Sequence, residues 1–126
     1  MSTGSGFPWE PTVDQVASLI AVRTVDEGGN QVGTFTSDTR PTDVQARVLC
    51  ETAAQDISQR LGIDVPDEYV PEAQRIAAMD CALLIIASYY PDVSEQRSYV
   101  WLQGAFLAAL QTLQDDVRHA TPRRLP

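Results

Sequence analysis

Apolar positions recur at helical spacing in four stretches of the chain, each framed by recognisable start or stop signals. Val13, Val16, Ala17 and Ile20 share one face. Thr12 follows Pro11 and is followed by Gln15 at the third position, a capping-box pattern that predicts a short first helix of two to three turns, ending around Val22. The same signal recurs where Thr42 follows Pro41 and precedes Gln45. There Val44, Val48, Ile57 and Leu61 keep near-helical spacing, Ala53 and Ala54 permit close packing, and Gly62 can take the left-handed conformation that ends a helix. On the polar side of this second helix, Asp43, Arg47, Glu51, Asp56 and Arg60 stand at spacings that allow modest surface ion pairs.

Pro71 suits the first turn of a third helix, which the pattern carries to Tyr89 or Tyr90, before Pro91. Ile76, Ala77, Met79, Cys81, Leu83, Leu84, Ile85, Ile86 and Ala87 occupy nearly every side of it. A helix apolar all round must be surrounded, and in so small a domain a second subunit is a candidate for part of the cover. Asp92, with Glu95 three residues on, can cap a fourth helix. Its stripe of Tyr99, Leu102, Phe106, Ala109, Leu110, Leu113 and Val117 is continuous.

Between the first two helices, Arg23 to Arg40 breaks the helical pattern. Asp26, Glu27, Gly28, Gly29 and Asn30 supply turn chemistry, and Val32 to Thr36 is strand-prone, which predicts a small β-hairpin or an extended arm. Connections of this length inside a compact domain are often functional, so Asp26, Glu27, Val32, Thr34, Phe35 and Arg40 are candidate contacts with another chain. The expected architecture is all-α: a small four-helix domain over 11–118, with a long loop or small hairpin between helices 1 and 2. Residues 1–10 and 119–126 are expected to be flexible ends.

A chain of 126 residues fits one domain, since two cores would each be too small to bury most of their surface. The formal charge is −8 and every basic side chain is arginine. Nonspecific duplex binding by the chain as a whole is disfavoured, because that affinity comes from basic groups displacing counterions. Arg118, Arg123 and Arg124 cluster near the C-terminus and can touch phosphates or an acidic partner, or stand in solvent. No secretion signal is expected, and the apolar run from Cys81 to Tyr90 is about half the roughly 20 residues that span a bilayer, so no membrane role is expected. Cys50 and Cys81 fall on different predicted helices, without metal-site or disulfide-framework spacing, and read as buried free thiols.

Chemistry is sparse. His119 is the lone histidine, placed at a helix end where it complements the dipole, with no nucleophile set beside it by a recognisable motif. The glycines at 28, 29 and 33 lack the lysine and preceding buried strand of a phosphate loop. Asp26 with Glu27, and Asp67 with Glu68, lack the alternating oxygen ligands of a calcium loop. No catalytic, cofactor or metal site is therefore expected. Asp80 interrupts the most apolar helix and must either face solvent, the simpler case, or pair with an arginine of its own or a neighbouring chain. Trp101 falls off the stripe of the fourth helix and is a candidate interface anchor, unless the N-terminal segment covers it.

The order of elements and several phrases resemble the head-to-tail adaptor, or connector, proteins of long-tailed bacteriophages, particularly those infecting high-GC actinobacteria. The phrases are Pro11-Thr12-Val13-Asp14-Gln15-Val16, Val32-Gly33-Thr34-Phe35-Thr36 leading to Thr39-Arg40-Pro41-Thr42, and Val70-Pro71 through Ala87-Ser88-Tyr89-Tyr90-Pro91. The resemblance spans about residues 11 to 118. It implies a helical subunit of a ring, typically dodecameric, beneath the portal at the capsid vertex, made in the host cytoplasm and located in the neck of the virion. The implied partners are further copies of itself, the portal protein, stopper or tail-completion proteins, and double-stranded DNA that passes through the channel without specific binding. The arm from Arg23 to Arg40 would touch neighbouring subunits or portal, and the tail from Arg118 onward would dock on portal. A competing expectation is an acidic decoy that mimics phosphate charge toward a host protein. It is weakened because acids alternate with arginines along the helices and form no single-sign stripe.

Overall fold

The computed structural model describes residues 6–20, 23–62, 64–90 and 97–120. The elements in order are α1 (Val13–Leu19), β1 (Val25–Asp26), β2 (Thr39–Arg40), α2 (Asp43–Leu61), a 3₁₀ turn at Asp67–Tyr69, α3 (Val70–Tyr89) and α4 (Arg97–Ala120). The fold is mostly helical, with four helices and a two-stranded hairpin between α1 and α2.

Local signals place the helix ends. Thr12 and Thr42 each accept a hydrogen bond from the backbone of the glutamine three residues on, and each glutamine side chain accepts one in return from the threonine N–H. These boxes satisfy amides that would otherwise lack partners in the first turn. Gly62 closes α2 at φ 72°, a conformation that costs glycine little, and Pro71 lies in the first turn of α3. Helix α1 is shorter than its pattern suggests. The Ile20 N–H bonds the carbonyl of Ala17, a tightened turn that ends the helix at Leu19 instead of near Val22. The start expected for α4 at Asp92 and Glu95 lies outside the described residues, and its far end runs to Ala120, past the boundary expected at 118.

Helix α3 is the axis of the domain, packed by α1, α2 and α4. Much of its cover comes from the chain itself: Ile76, Ala77, Cys81, Ala82 and Ile85 are fully buried, whereas Met79 and Leu84 are partly buried and Ala87 is exposed. Helices α2 and α3 pack together, and small side chains on both, Ala46, Ala53 and Ala54 on α2 and Ala73, Ala77 and Ala82 on α3, have no exposed surface. Such a seam lets helix backbones approach closely, and the Cys81 sulfur lies 3.9 Å from the Ala46 carbonyl oxygen.

That seam corrects the expected face of α2. Ile57 is buried, but Val44 and Val48 are 61% and 54% exposed. The inward stripe is Ala46, Cys50, Ala53, Ala54 and Ile57. Val44 and Val48 stand on the opposite side of the helix from that stripe, so turning the alanine face inward leaves them outside. Of the surface charges expected to pair along α2, the ion pair among described residues is Arg60 with Asp56, at 3.0 Å.

The N-terminal segment, expected to be loose over 1–10, is folded onto the body from Phe7. Trp9 is 4% exposed, donates its indole N–H to the Ala54 carbonyl at 3.0 Å, and stacks on Phe7 with ring centres 4.7 Å apart. The Gln74 amide holds the Glu10 carbonyl at 3.0 Å. A buried indole with a satisfied donor contributes both apolar area and a hydrogen bond, which offsets the entropy of ordering the segment.

Candidate interaction surfaces

The arm is a compact cover and not a free extension. Val25 pairs with Arg40 and Asp26 with Thr39, so the strand opposite β1 is 39–40 and not the expected 32–36. Inside it the chain makes a smaller turn, in which the Asp26 N–H bonds the Asn30 carbonyl and the Val32 N–H bonds the Thr24 carbonyl. The Asp26 carboxylate accepts from the N–H groups of Gly28 and Asn30, both at 2.9 Å, which assigns this side chain to the turn. Thr34 donates to Asp14 on α1 at 2.8 Å, and Phe35, a candidate outward contact, is 4% exposed and belongs to the core. Tyr90, at the end of α3, closes the base of the hairpin: its hydroxyl lies within donating distance of the carbonyls of Arg23 and Arg40. Burial raises the Tyr90 pKa, partly opposed by the charges of Arg40 and Arg23.

Glu27, Val32 and Arg40 remain exposed. With Asp26, Asp38, Thr39 and Tyr90, the first and last of these line an open cleft of about 530 Å³. It contains carboxylates, one guanidinium and a phenol, with no thiol or imidazole. Among the described residues no group of three or more histidine, cysteine or acidic side chains is placed to hold a metal ion.

Asp80 neither faces solvent nor pairs cleanly with an arginine. It is 7% exposed, and its Oδ2 has no hydrogen-bond partner. It forms the floor of a pocket of about 390 Å³ with Thr52, Gln55, Asp56, Gln59, Arg60 and Leu84. Burial, then the adjoining Asp56 carboxyl, push its pKa up from 3.8 to about 8, and the nearby Arg60 charge only partly offsets them. The proton-bearing form avoids placing a second negative charge beside Asp56 in a poorly solvated site.

The two cysteines, far apart in sequence, meet in the α2–α3 seam with sulfurs 3.6 Å apart, both free and buried. The thiol of Cys81 is held strongly toward its neutral form by its contact with Cys50, then by burial.

Helix α4 presents two faces. Leu102, Phe106, Leu110, Leu113 and Val117 are buried against α3 as expected. On the opposite side Val100, Trp101 and Leu107 are 54%, 71% and 52% exposed, with the exposed Gly104 between them. Trp101 is thus an uncovered aromatic among the described residues, and the described part of the N-terminal segment, from Gly6, does not shield it. The outer Val100–Leu107 face escaped the sequence reading although its spacing of four and then three residues is also helical; the stronger inward stripe claimed the pattern. Arg118 is exposed on the last turn, and the neighbouring His119 ring nitrogen Nδ1 lies 2.7 Å from the Asp115 carbonyl. Arg123 and Arg124 lie outside the described residues.

Among the described residues no helix is long and apolar enough to cross a membrane. No protein-family model matches the chain, and no curated protein or solved structure matches it either.

Proposed function

We propose that the chain is a structural, non-catalytic head-to-tail adaptor of a long-tailed bacteriophage, assembling as a ring beneath the portal, where it extends the DNA channel and docks the stopper or tail. The observation that carries this reading is the pair of unlike apolar patches on a body whose core is already closed: Val44 with Val48 on α2, and Val100, Trp101 and Leu107 on α4. Large exposed aromatic and aliphatic side chains mark contact surfaces. Two different patches suit a head-to-tail contact that repeats around an axis, whereas a two-fold dimer needs only one patch that meets itself.

Other features agree. The sequence phrases at 11–16, 32–42 and 70–91 resemble the adaptor family, and the −8 charge would let duplex DNA pass without adhering. The exposed groups of the hairpin, Glu27, Val32 and Arg40, and the basic end from Arg118 through Arg123 and Arg124, are secondary contacts with portal or neighbouring subunits. Native mass spectrometry over a range of concentrations, with negative-stain imaging, tests the reading. Closed rings are expected. A strict monomer, or a dimer that does not grow, refutes the ring; a monomer that captures a nucleic-acid-binding protein supports the decoy in its place.

A further inference from the structure

We infer that the ring contact is an antiparallel packing of α4 of one copy on α2 of the next, with Gly104 receiving Val44, Val100 meeting Val48, and Arg97 meeting Glu51. The inference rests on the ring reading above and names its interface. Three residues separate Arg97 from Val100 and Glu51 from Val48; four separate Val100 from Gly104 and Val48 from Val44. In an antiparallel pair all three contacts are therefore in register over about 10 Å of helix. The aliphatic positions oppose one another, and the charge at the end of each stripe is opposite in sign. Trp101, the most exposed large hydrophobic side chain among the described residues, lies beside Val100 at the edge of the contact.

Gly104 supplies an independent argument. It sits inside a 24-residue helix, where glycine is about 1 kcal/mol less favourable than alanine. A Cβ built there would meet no atom within 4 Å, so nothing in its own chain requires the missing side chain. A gap on an exposed helix, opposite a valine of matching register, lets a second helix approach closely.

Gly104→Gln in the full chain separates folding from assembly. Glutamine restores helix propensity on an open face, so the variant should melt a few degrees higher, roughly 2–5 °C, while its self-association weakens about tenfold or more. Glu51→Arg and Arg97→Glu should each weaken association by a similar factor, and the double exchange should restore it. Wild-type rings that persist unchanged in Gly104→Gln and in both single charge reversals would overturn this interface and leave the ring reading standing. A wild-type chain that stays monomeric removes the ring reading and the interface together.

Discussion

Asp80 makes a sharp prediction about stability against pH. In the unfolded chain its carboxyl releases a proton near 3.8; in the fold it keeps that proton to about 8. Between those values the folded state binds more protons than the unfolded state, so this residue contributes stability that is complete at low pH and is lost as pH rises through about 8. Each tenfold change in acid strength corresponds to about 1.4 kcal/mol, which bounds the effect at about 5–6 kcal/mol. The pocket is open to solvent, and screening there reduces this to roughly 2 kcal/mol. Asp80→Asn keeps the shape and removes the titration. Urea unfolding of both proteins at pH 5, 7 and 9 isolates the Asp80 site together with its neighbour Asp56, because the rest of the chain is common to both. The stability of Asp80→Asn relative to wild type should rise by roughly 2 kcal/mol from pH 5 to pH 9. A difference that stays constant across this range would refute the protonated, buried carboxyl.

Two other outcomes follow from packing. Trp9→Phe removes the indole N–H that the Ala54 carbonyl accepts in addition to its helix hydrogen bond, and trims a buried ring, and should lower the unfolding free energy by about 1–2 kcal/mol in urea; an unchanged midpoint would mean that the indole contact does not stabilise the fold. Cys50 and Cys81 should resist a thiol reagent in the native protein and both react on unfolding, read by absorbance of the released leaving group, because both sulfurs are buried and, at Cys81, contact with Cys50 and burial suppress the thiolate. Fast native labelling would contradict the closed α2–α3 seam.

Much of the fold was legible because its signals are local. A threonine and a glutamine three residues apart cap a helix with atoms from one turn, and Gly62 or Pro71 acts through its own backbone; no distant partner is needed. The stripe of α4 from Leu102 to Val117 was equally plain because one continuous face is apolar and large. What remained hidden depends on which surfaces meet. In α2 two faces compete, one of valines and one of alanines, and only the close approach of α3 selects the alanines and leaves Val44 and Val48 outside. The same approach brings Cys50 to Cys81 and places Asp80 beside Asp56, contacts between residues far apart in sequence that no periodicity within either helix encodes. Phe35 stands in an arm whose length marks it as a candidate contact, yet the hairpin folds its ring into the core. Local signals along the chain suffice for four capped or punctuated helices and their order; which face of each turns inward was left to tertiary packing, because burial is a property of two surfaces together and not of either alone.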